Sequence, residues 1–180
     1  MDLSSDNGLA SGSFAPVEAK ATSDSRSVLV RWMGITDANS AGFVHGGVVM
    51  KLCDEAAALA AVRHSGGRVV TAAMDRMTFV LPVNISELVT CSASVNAVWN
   101  TSMEVGVRVE AENPRTGERR HTSTAYLTMV ALDENGEPAR VPPLRAESET
   151  ELRRQREAEL RRANRLAERK QILSDRAEGS

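Results

Sequence analysis

The stretch DANSAGFVHGGVVMKLCDEAAALAAV, residues 37–62, decides the fold that we predict for this chain of 180 residues. It opens with a polar turn, passes the glycine pair Gly46 and Gly47, and continues with apolar residues at helical spacing. Its alanine-rich end favours a helix, and apolar side chains on most of the circumference are typical of a buried one. We predict this helix over residues 46–64, ending before Ser65-Gly66-Gly67.

A carboxylate, Asp54, interrupts the apolar part of this helix, beside Glu55. Asp54 follows Gly47 by about two helical turns, so the two share a face. The first-turn amide hydrogens carry the positive end of the helix dipole and would polarise a carbonyl oxygen docked at the glycines. Buried carboxylates are rare unless they are paired or used. We therefore expect Asp54 to act on a water near that carbonyl; the alternative is a capped core helix that tolerates one acid.

Alternating apolar and polar residues predict five strands around this helix. In the segment 87–99 the pattern places Val89 through Trp99, at every second position, on one face. In the segment 102–112 it places Met103 inside and Glu104 outside. Long antiparallel strands wrapped around one central helix form an α+β domain. The five predicted strands are residues 27–36, 69–80, 87–99, 102–112 and 119–132.

The two ends of the chain differ in composition from this domain. Residues 1–24 are rich in Ser, Asp, Gly and Ala without a period, which predicts a disordered arm. Residues 145–180 form a charged tail whose segment 147–173 predicts a helix with only a thin leucine stripe. A solvated helix is the first interpretation, a weak coiled coil or docking helix the second, and a nucleic-acid or membrane contact the third. We expect the tail to be dispensable for catalysis.

Composition excludes several classes of protein. The net charge of −2 argues against general nucleic-acid binding, and no apolar run is long enough to span a membrane. The N-terminus lacks the features of a signal peptide. The two cysteines, Cys53 and Cys91, form no disulfide framework, and the histidines lack a metal-ligand pattern. We therefore expect a cytoplasmic protein without a metal, a nucleic-acid partner or a membrane partner.

Several motifs resemble those of hotdog-fold acyl-CoA thioesterases. Asn39, a Gly at 42, His45-Gly46-Gly47 and Asp54-Glu55-Ala56-Ala57 are similar in order and spacing to the signature of the cytosolic acyl-CoA hydrolase family. That family has bacterial single-domain and vertebrate tandem-domain members. Downstream segments at 67–83 and 101–133 also resemble the family. The resemblance spans a domain that we place at residues 25–144.

The resemblance implies a hotdog fold, an antiparallel sheet wrapped around a central helix, and hydrolysis of fatty acyl-CoA to free fatty acid and CoA in fatty acid metabolism. Coenzyme A would be part of the substrate, and no separate cofactor is expected. Asn39 and Asp54 would be catalytic, with Asn39 of one subunit working with Asp54 of its neighbour. Gly46 and Gly47 would bind the thioester oxygen. The assembly would be a homo-oligomer, a dimer within a hexamer built as a trimer of dimers.

For coenzyme A, the resemblance points to the strand that follows the helix and to the loop before the fourth strand. The corresponding positions are Arg68, Val70, Asn100, Thr101 and Ser102, with Arg76 as a further basic candidate. Many relatives have a basic residue where this chain has Asn100, which weakens a phosphate contact there. Two alternatives remain: a non-catalytic acyl-CoA-binding hotdog regulator, and a hotdog dehydratase, which would need a histidine base on the same helix face.

Overall fold

The central helix α1 spans Gly46–Ser65 in the computed structural model, which describes residues 18–178. At its start the Gly47 amide donates to Nδ1 of His45 at 3.0 Å, so His45 caps the helix. At its end Gly66 adopts the left-handed conformation, with φ of 73°, and its amide donates to the Val62 carbonyl. The predicted helix is confirmed to within one residue at its end.

Five antiparallel strands wrap around α1 in the order β2-β4-β5-β6-β3. Four alanines of α1 are fully buried, which lets the helix lie close to the sheet. The predicted α+β architecture is therefore confirmed. The strands are β2 (Ser27–Trp32), β3 (Arg68–Phe79), β4 (Leu88–Val98), β5 (Ser102–Glu112) and β6 (Arg119–Leu132).

Strand β3 lies at one edge of this sheet, and among the described residues only β6 pairs with it. The face of α1 that is turned away from the sheet is also open, because Met50, Leu59 and Val62 are 42%, 48% and 44% exposed. The helix is thus buried against the sheet and uncovered on its other side. Exposed apolar residues on a monomer of this kind mark an interaction surface.

The predicted inward position of Trp99 is wrong, because β4 contains a register shift between Val95 and Ala97. A one-residue shift moves every later side chain to the opposite face of the sheet. After it, Val98 packs on the core while Trp99 contacts the second long helix on the outer face.

The predicted disordered arm, residues 1–24, lies partly outside the described residues, which begin at 18. Within the described part, Lys20–Ala21 forms β1 and pairs in parallel with β7, Leu144–Arg145. Residues 22–25 form a 3-10 turn in which the buried Ser25 hydroxyl accepts from the Val95 amide at 3.0 Å. The expectation of a loose segment is wrong here, because these polar residues satisfy backbone groups of the fold.

The C-terminal helix α2 spans Glu149–Glu178 and does not run free in solvent over its first half. Ala158 is fully buried, Glu151 is 7% exposed, and Arg161 reaches Glu104 on the outer face of the sheet. The interpretation as a solvated helix is therefore wrong for this half, which docks on the sheet through charged groups rather than through an apolar stripe. Within residues 18–178, no helix has the length and hydropathy needed to cross a membrane.

Candidate active site

Asp54 faces strand β3, where the hydroxyl of Thr71 donates a hydrogen bond of 2.5 Å to its Oδ1. Thr71 is paired with Met129 of β6, and its hydroxyl lies 3.5 Å from the Met129 sulfur, on the side of the sheet that covers α1. Asp54 itself is half-buried. A fixed, partly desolvated carboxylate with one oxygen left for another partner is the arrangement that a general base requires.

Thr71 is a candidate functional residue that the sequence analysis missed. Its signal is a polar side chain on the helix-facing side of β3, two residues after the inward Val69 and within hydrogen-bond reach of Asp54. The bulges of β3 at Thr71–Ala73 and Met74–Arg76 obscure the alternation that would have revealed it.

Asn39 is held in the loop that leads into α1. Its Oδ1 accepts from the amides of Ala41 and Phe43, at 2.9 and 3.2 Å, and its backbone amide donates to the Phe43 carbonyl at 2.7 Å. Gly42 completes this turn with φ of 83°. Because Oδ1 is engaged by the loop, the Nδ2 amide of Asn39 is the group that is left to donate to a ligand.

The two glycines predicted to bind a carbonyl oxygen differ in what their amides do. The Gly47 amide is already bonded to His45 Nδ1. For the Gly46 amide no partner is found within residues 18–178. Gly46 therefore offers the free donor at the positive end of the α1 dipole. Adding a Cβ to Gly46 would place it 3.4 Å from the Phe79 ring, so glycine also permits close packing there.

An apolar groove of about 340 Å³ adjoins this helix terminus. Asn39 is its one polar lining side chain and the other lining side chains are apolar, which suits a flexible acyl chain. The groove is lined by Asn39, Phe43, Val44, Gly46, Val49, Phe79, Val80, Leu81, Pro82 and Val83.

Within one chain the two polar parts of the candidate site are well separated along α1. Asp54 follows Gly46 by eight residues, which corresponds to about 12 Å along a helix axis. In a thioester attacked by water, the carbonyl carbon must lie about 3 Å from the water while its oxygen lies about 3 Å from the oxyanion donor. Gly46 and Asp54 of one chain do not meet this requirement, although both lie beside β3, at Phe79 and at Thr71.

The predicted coenzyme A residues fall into two places. Ser102, Val130 and Val70 form one row across β5, β6 and β3, and Arg68 lies two residues earlier on β3. Asn100 and Thr101 form the adjoining turn, where their carbonyls accept from the amides of Val141 and Ala131.

Arg76 is not in this group, because it pairs with Tyr126 further along β3. Five of the six predicted residues are thus brought together at one end of the sheet, and Arg76 is separate from them.

Cys53 is not a nucleophile in this fold. It is fully buried, and a hydrogen bond with Cys91, together with burial, raises the pKa of its thiol well above the usual range. Among residues 18–178 there is no group of three or more His, Cys, Asp or Glu side chains that would hold a metal ion.

Comparison with known proteins identifies relatives along most of the chain. Residues 41–118 match the thioesterase superfamily model. The cytosolic acyl coenzyme A thioester hydrolase of Rattus norvegicus is 37% identical over 139 residues, which cover 76% of this chain and 36% of the rat protein. The chain thus spans about a third of the rat protein's length.

Two solved structures resemble the whole domain. A hexameric acyl-CoA thioesterase, solved without ligand, is 36% identical with a TM-score of 0.81, covering 84% of this chain and 97% of that one. The acyl-CoA hydrolase of Staphylococcus aureus, solved with butyryl coenzyme A, coenzyme A and coenzyme A disulfide, is 31% identical with a TM-score of 0.80, covering 88% and 99%.

Alanine variants of the Staphylococcus aureus enzyme have also been solved, each changed at an aspartate, an asparagine or a threonine. In that enzyme the asparagine precedes the aspartate by fifteen positions and the threonine follows it by seventeen. Asn39, Asp54 and Thr71 have the same spacing.

Proposed function

Since this chain belongs to the thioesterase superfamily, as a hotdog-fold acyl-CoA thioesterase, we propose that it hydrolyses the thioester of fatty acyl-CoA to the free fatty acid and CoA. The observation that carries the mechanism is the hydrogen bond between Thr71 and Asp54 at the open β3 edge. Thr71 holds one carboxylate oxygen, and the other oxygen faces the site. The substrate binds as acyl-CoA, with coenzyme A as its leaving group and not as a separate cofactor.

Asp54 acts as a general base in this reaction. It takes a proton from a water whose oxygen attacks the thioester carbonyl, and the resulting oxyanion is stabilised by the Gly46 amide at the helix N-terminus. The Nδ2 amide of Asn39 orients the carbonyl or the water. The tetrahedral intermediate then expels CoA as a thiolate, which needs no strong acid because thiol pKa values lie at about 8.5.

Direct attack by the Asp54 carboxylate is the other route, and isotopic labelling distinguishes it. A single turnover in H₂¹⁸O places the label only in the fatty acid when Asp54 acts as a base. Direct attack forms an acyl anhydride, and its hydrolysis at the aspartyl carbon leaves ¹⁸O in the peptide that contains Asp54. Mass spectrometry of that peptide therefore identifies direct attack when ¹⁸O is found in Asp54, since attack of water at the acyl carbon labels only the acid in either route.

Two copies complete the active site by pairing along β3. Antiparallel pairing of two β3 edges forms a continuous sheet and places the two α1 helices antiparallel, so the N-terminus of one lies beside the middle of the other. Gly46 and Asn39 of one copy then approach Asp54 of its partner. Within one chain, Gly46 and Asp54 are about 12 Å apart along α1, so only the pairing brings the two groups to one substrate.

Pairing also covers the apolar surface at this edge and removes an unpaired strand. The exposed apolar residues along α1 and β3 and just beyond them are Met50, Leu59, Val62, Val70, Phe79, Val80 and Leu81.

A hexamer, arranged as a trimer of such dimers, is the proposed assembly. Support comes from the hexameric thioesterase that matches this chain over 84% of its length. Sedimentation velocity at micromolar concentration should give the mass of six chains. A species with the mass of one chain would contradict both the hexamer and the shared site.

Coenzyme A lies across the end of the sheet where Arg68, Val70 and the turn Asn100-Thr101-Ser102 meet. Their juxtaposition supports this placement. Arg68 supplies the positive charge for a phosphate, which Asn100 does not supply. Arg76, further along β3, is positioned to contact CoA bound to the partner copy. Arg68→Ala should raise KM for acyl-CoA without lowering kcat in proportion.

A cytoplasmic location is proposed because the similar rat protein is a cytosolic enzyme by name. Fractionation of cells that express the tagged chain tests it, with the tag expected in the soluble cytoplasmic fraction.

Thiol release from a panel of acyl-CoA thioesters tests the proposed activity. The wild type should release CoA, and Asp54→Asn should lose about 10²-fold or more in kcat. The matched control is Glu55→Gln, since Glu55 is the adjacent acid, is exposed, and within residues 18–178 forms an ion pair only with Lys51, at 3.8 Å. Binding of acyl-CoA without thiol release in the wild type would favour the non-catalytic acyl-CoA regulator instead.

A further inference from the structure

Helix α2 crosses the outer face of the sheet from strand to strand. At the β4 end, Glu159 accepts from the Trp99 indole at 3.2 Å, and the Arg162 guanidinium lies 4.5 Å from the centre of the Trp99 ring. Between these two residues in sequence, the Arg161 guanidinium contacts β5 at Glu104 and lies 3.6 Å from the centre of the Tyr126 ring on β6. The path of the helix is therefore from β4 toward β3.

The last contact of α2 with its own sheet is at the edge strand. Arg165 donates to the Thr128 hydroxyl on β6 at 2.8 Å and forms an ion pair with Asp75 on β3. Thirteen residues of α2 follow Arg165. At 1.5 Å per residue they extend about 20 Å, which is the width of roughly four strands.

Residues 166–178 form an overhang, the part of α2 that extends beyond its last contact with its own sheet. The docked face of α2 continues into this overhang. Glu168, Arg169, Ile172 and Leu173 follow Arg165 at helical spacing and line, with Arg165 and Arg176, a groove of about 320 Å³. Every residue that lines the groove belongs to α2 itself. Ile172 and Leu173 are 44% and 53% exposed. The chain's own sheet thus ends where this apolar and charged surface begins.

We propose that residues 166–178 of α2 dock on a second copy of this chain, crossing the β3 edge onto the outer side of the partner. The inference rests on the β3 pairing that is part of the proposed function. Because α2 passes over Asp75, near the middle of β3, a partner joined at that edge lies directly beneath the overhang. The groove is then filled by the partner copy, through the outer face of the partner's sheet and the partner's α2. The two-fold axis relates the two α2 helices.

Continuity and charge both favour a second copy as the occupant. The first half of α2 binds an outer face that presents Glu104 and Asp75 to arginines. On the partner, these two acids are already bound by the partner's own α2, so the overhang meets that helix on the partner's outer side. An acid and a base on one helix face, Glu168 and Arg169, are self-complementary across a two-fold axis, and Ile172 and Leu173 add apolar contact. The two α2 helices would therefore clamp the dimer from outside the active site.

Photo-cross-linking of the full chain tests this placement. A photoreactive phenylalanine analogue at position 173 is compared with the same analogue at position 160, since Leu160 is another exposed leucine, at 62%, on the other side of α2. Two differently tagged copies are expressed together, and only one carries the analogue. We expect a covalent dimer from position 173, joined to residues 68–79, 119–132 or α2 of the partner, and none from position 160.

The dissociation constant gives the second readout. Ile172→Glu/Leu173→Glu should raise the dimer Kd about tenfold or more, while Leu160→Glu should leave it unchanged. Both sites are exposed in the single chain, so circular dichroism should show unchanged helix content. Cross-links from position 173 confined to the same chain, or a Kd unaffected by the double change, would overturn the proposal. Thiol release is measured separately, so a chain that cross-links as expected but is inactive would count against the activity alone.

Discussion

The carboxylate of Glu104 on β5 is 1% exposed, and the guanidinium of Arg161 on α2 donates to both of its oxygens, at 3.0 and 2.7 Å. The amide of Asn96 donates a third hydrogen bond to it, at 3.0 Å. A buried charge of this kind is tolerated because it is paired and fully hydrogen-bonded. The pair therefore holds the first half of α2 against the outer face of the sheet.

Removing one partner of this pair should destabilise the fold. Arg161→Met leaves the Glu104 carboxylate buried with only the Asn96 amide, and should lower the free energy of unfolding by about 3–5 kcal/mol. The double variant Arg161→Met/Glu104→Met removes both charges and should recover most of the loss. Urea unfolding measures both. A double variant as unstable as the single one would show that packing, not the unpaired charge, is the cause.

A second prediction concerns the close approach of Gly106 to Asn96. A Cβ at position 106 would lie 2.6 Å from Nδ2 of Asn96, and Asn96 is held in place by its bond to Glu104. Gly106→Ala should therefore cost about 1–3 kcal/mol of stability through overpacking. In an Asn96→Ala background the same change should cost much less. An equal cost in both backgrounds would assign the effect to the strand backbone.

Alternation in the sequence was sufficient to predict the strands, but it did not locate the bulges. β5 and β6 begin and end where the pattern predicted, because their alternation is regular. In β4 the register shift after Val95 moves Trp99 to the outer face, where it meets Glu159. A bulge adds one residue without changing local composition, so periodicity continues across it and the face assignment fails.

The docking of α2 was only the second interpretation of the sequence, for a different reason. The search for an apolar stripe finds only scattered leucines, whereas the helix is held by Arg161 and Arg165 on acids that the sheet presents on its outer face. The partners, Glu104 and Asp75, are distant in sequence and look like solvated residues of alternating strands. Similarly, Asn39 and Asp54 were found from motif and helical position, while Thr71 requires knowing which side of β3 faces α1.

His64 should make stability depend on pH. Its ring is fully buried at the end of α1, Nε2 donates to the Pro142 carbonyl at 2.9 Å, and no partner for Nδ1 is found among the described residues. Burial lowers its pKa below the usual 6.5, against the raising effect of the Pro142 bond. Lys20 nearby also lowers it, and Asp24 opposes this.

The unfolded chain therefore binds a proton that the folded chain does not. Stability from neutral His64 is complete above pH 6.5 and is lost as the pH falls below that value, by up to about 1.4 kcal/mol per pH unit. Urea midpoints should fall from pH 7.5 to pH 5.5 in the wild type. His64→Gln keeps a donor for Pro142 and should reduce this difference; an unchanged difference would assign the pH dependence to other groups.

The Thr71 hydroxyl should matter for turnover more than for binding. Thr71→Val keeps the shape but removes the hydrogen bond that orients Asp54, and should lower kcat by about ten- to a hundred-fold with a small change in KM. Thr71→Ser keeps the hydroxyl and is the matched control, with activity close to the wild type. Equal activity of the valine and serine variants would show that Asp54 is positioned by other contacts.

The proposed shared active site makes a prediction about mixed subunits, since Asn39 and Gly46 lie at the start of α1 and Asp54 lies about two turns further on. Asn39→Ala and Asp54→Ala should each lose about 10²-fold or more in kcat. When the two inactive proteins exchange subunits, each mixed dimer contains one site with Asn39 from one chain and Asp54 from the other. Random exchange should then restore roughly a quarter of wild-type activity, as expected for two-fold symmetric pairing.

A mixture of Asp54→Ala and Thr71→Val is the control. Its activity should not rise above that of the two variants measured separately, because Thr71 acts on Asp54 of its own chain. Flat activity in the first mixture, once exchange has been confirmed by mass spectrometry of the intact dimers, would place Asn39 and Asp54 of one chain in the same site.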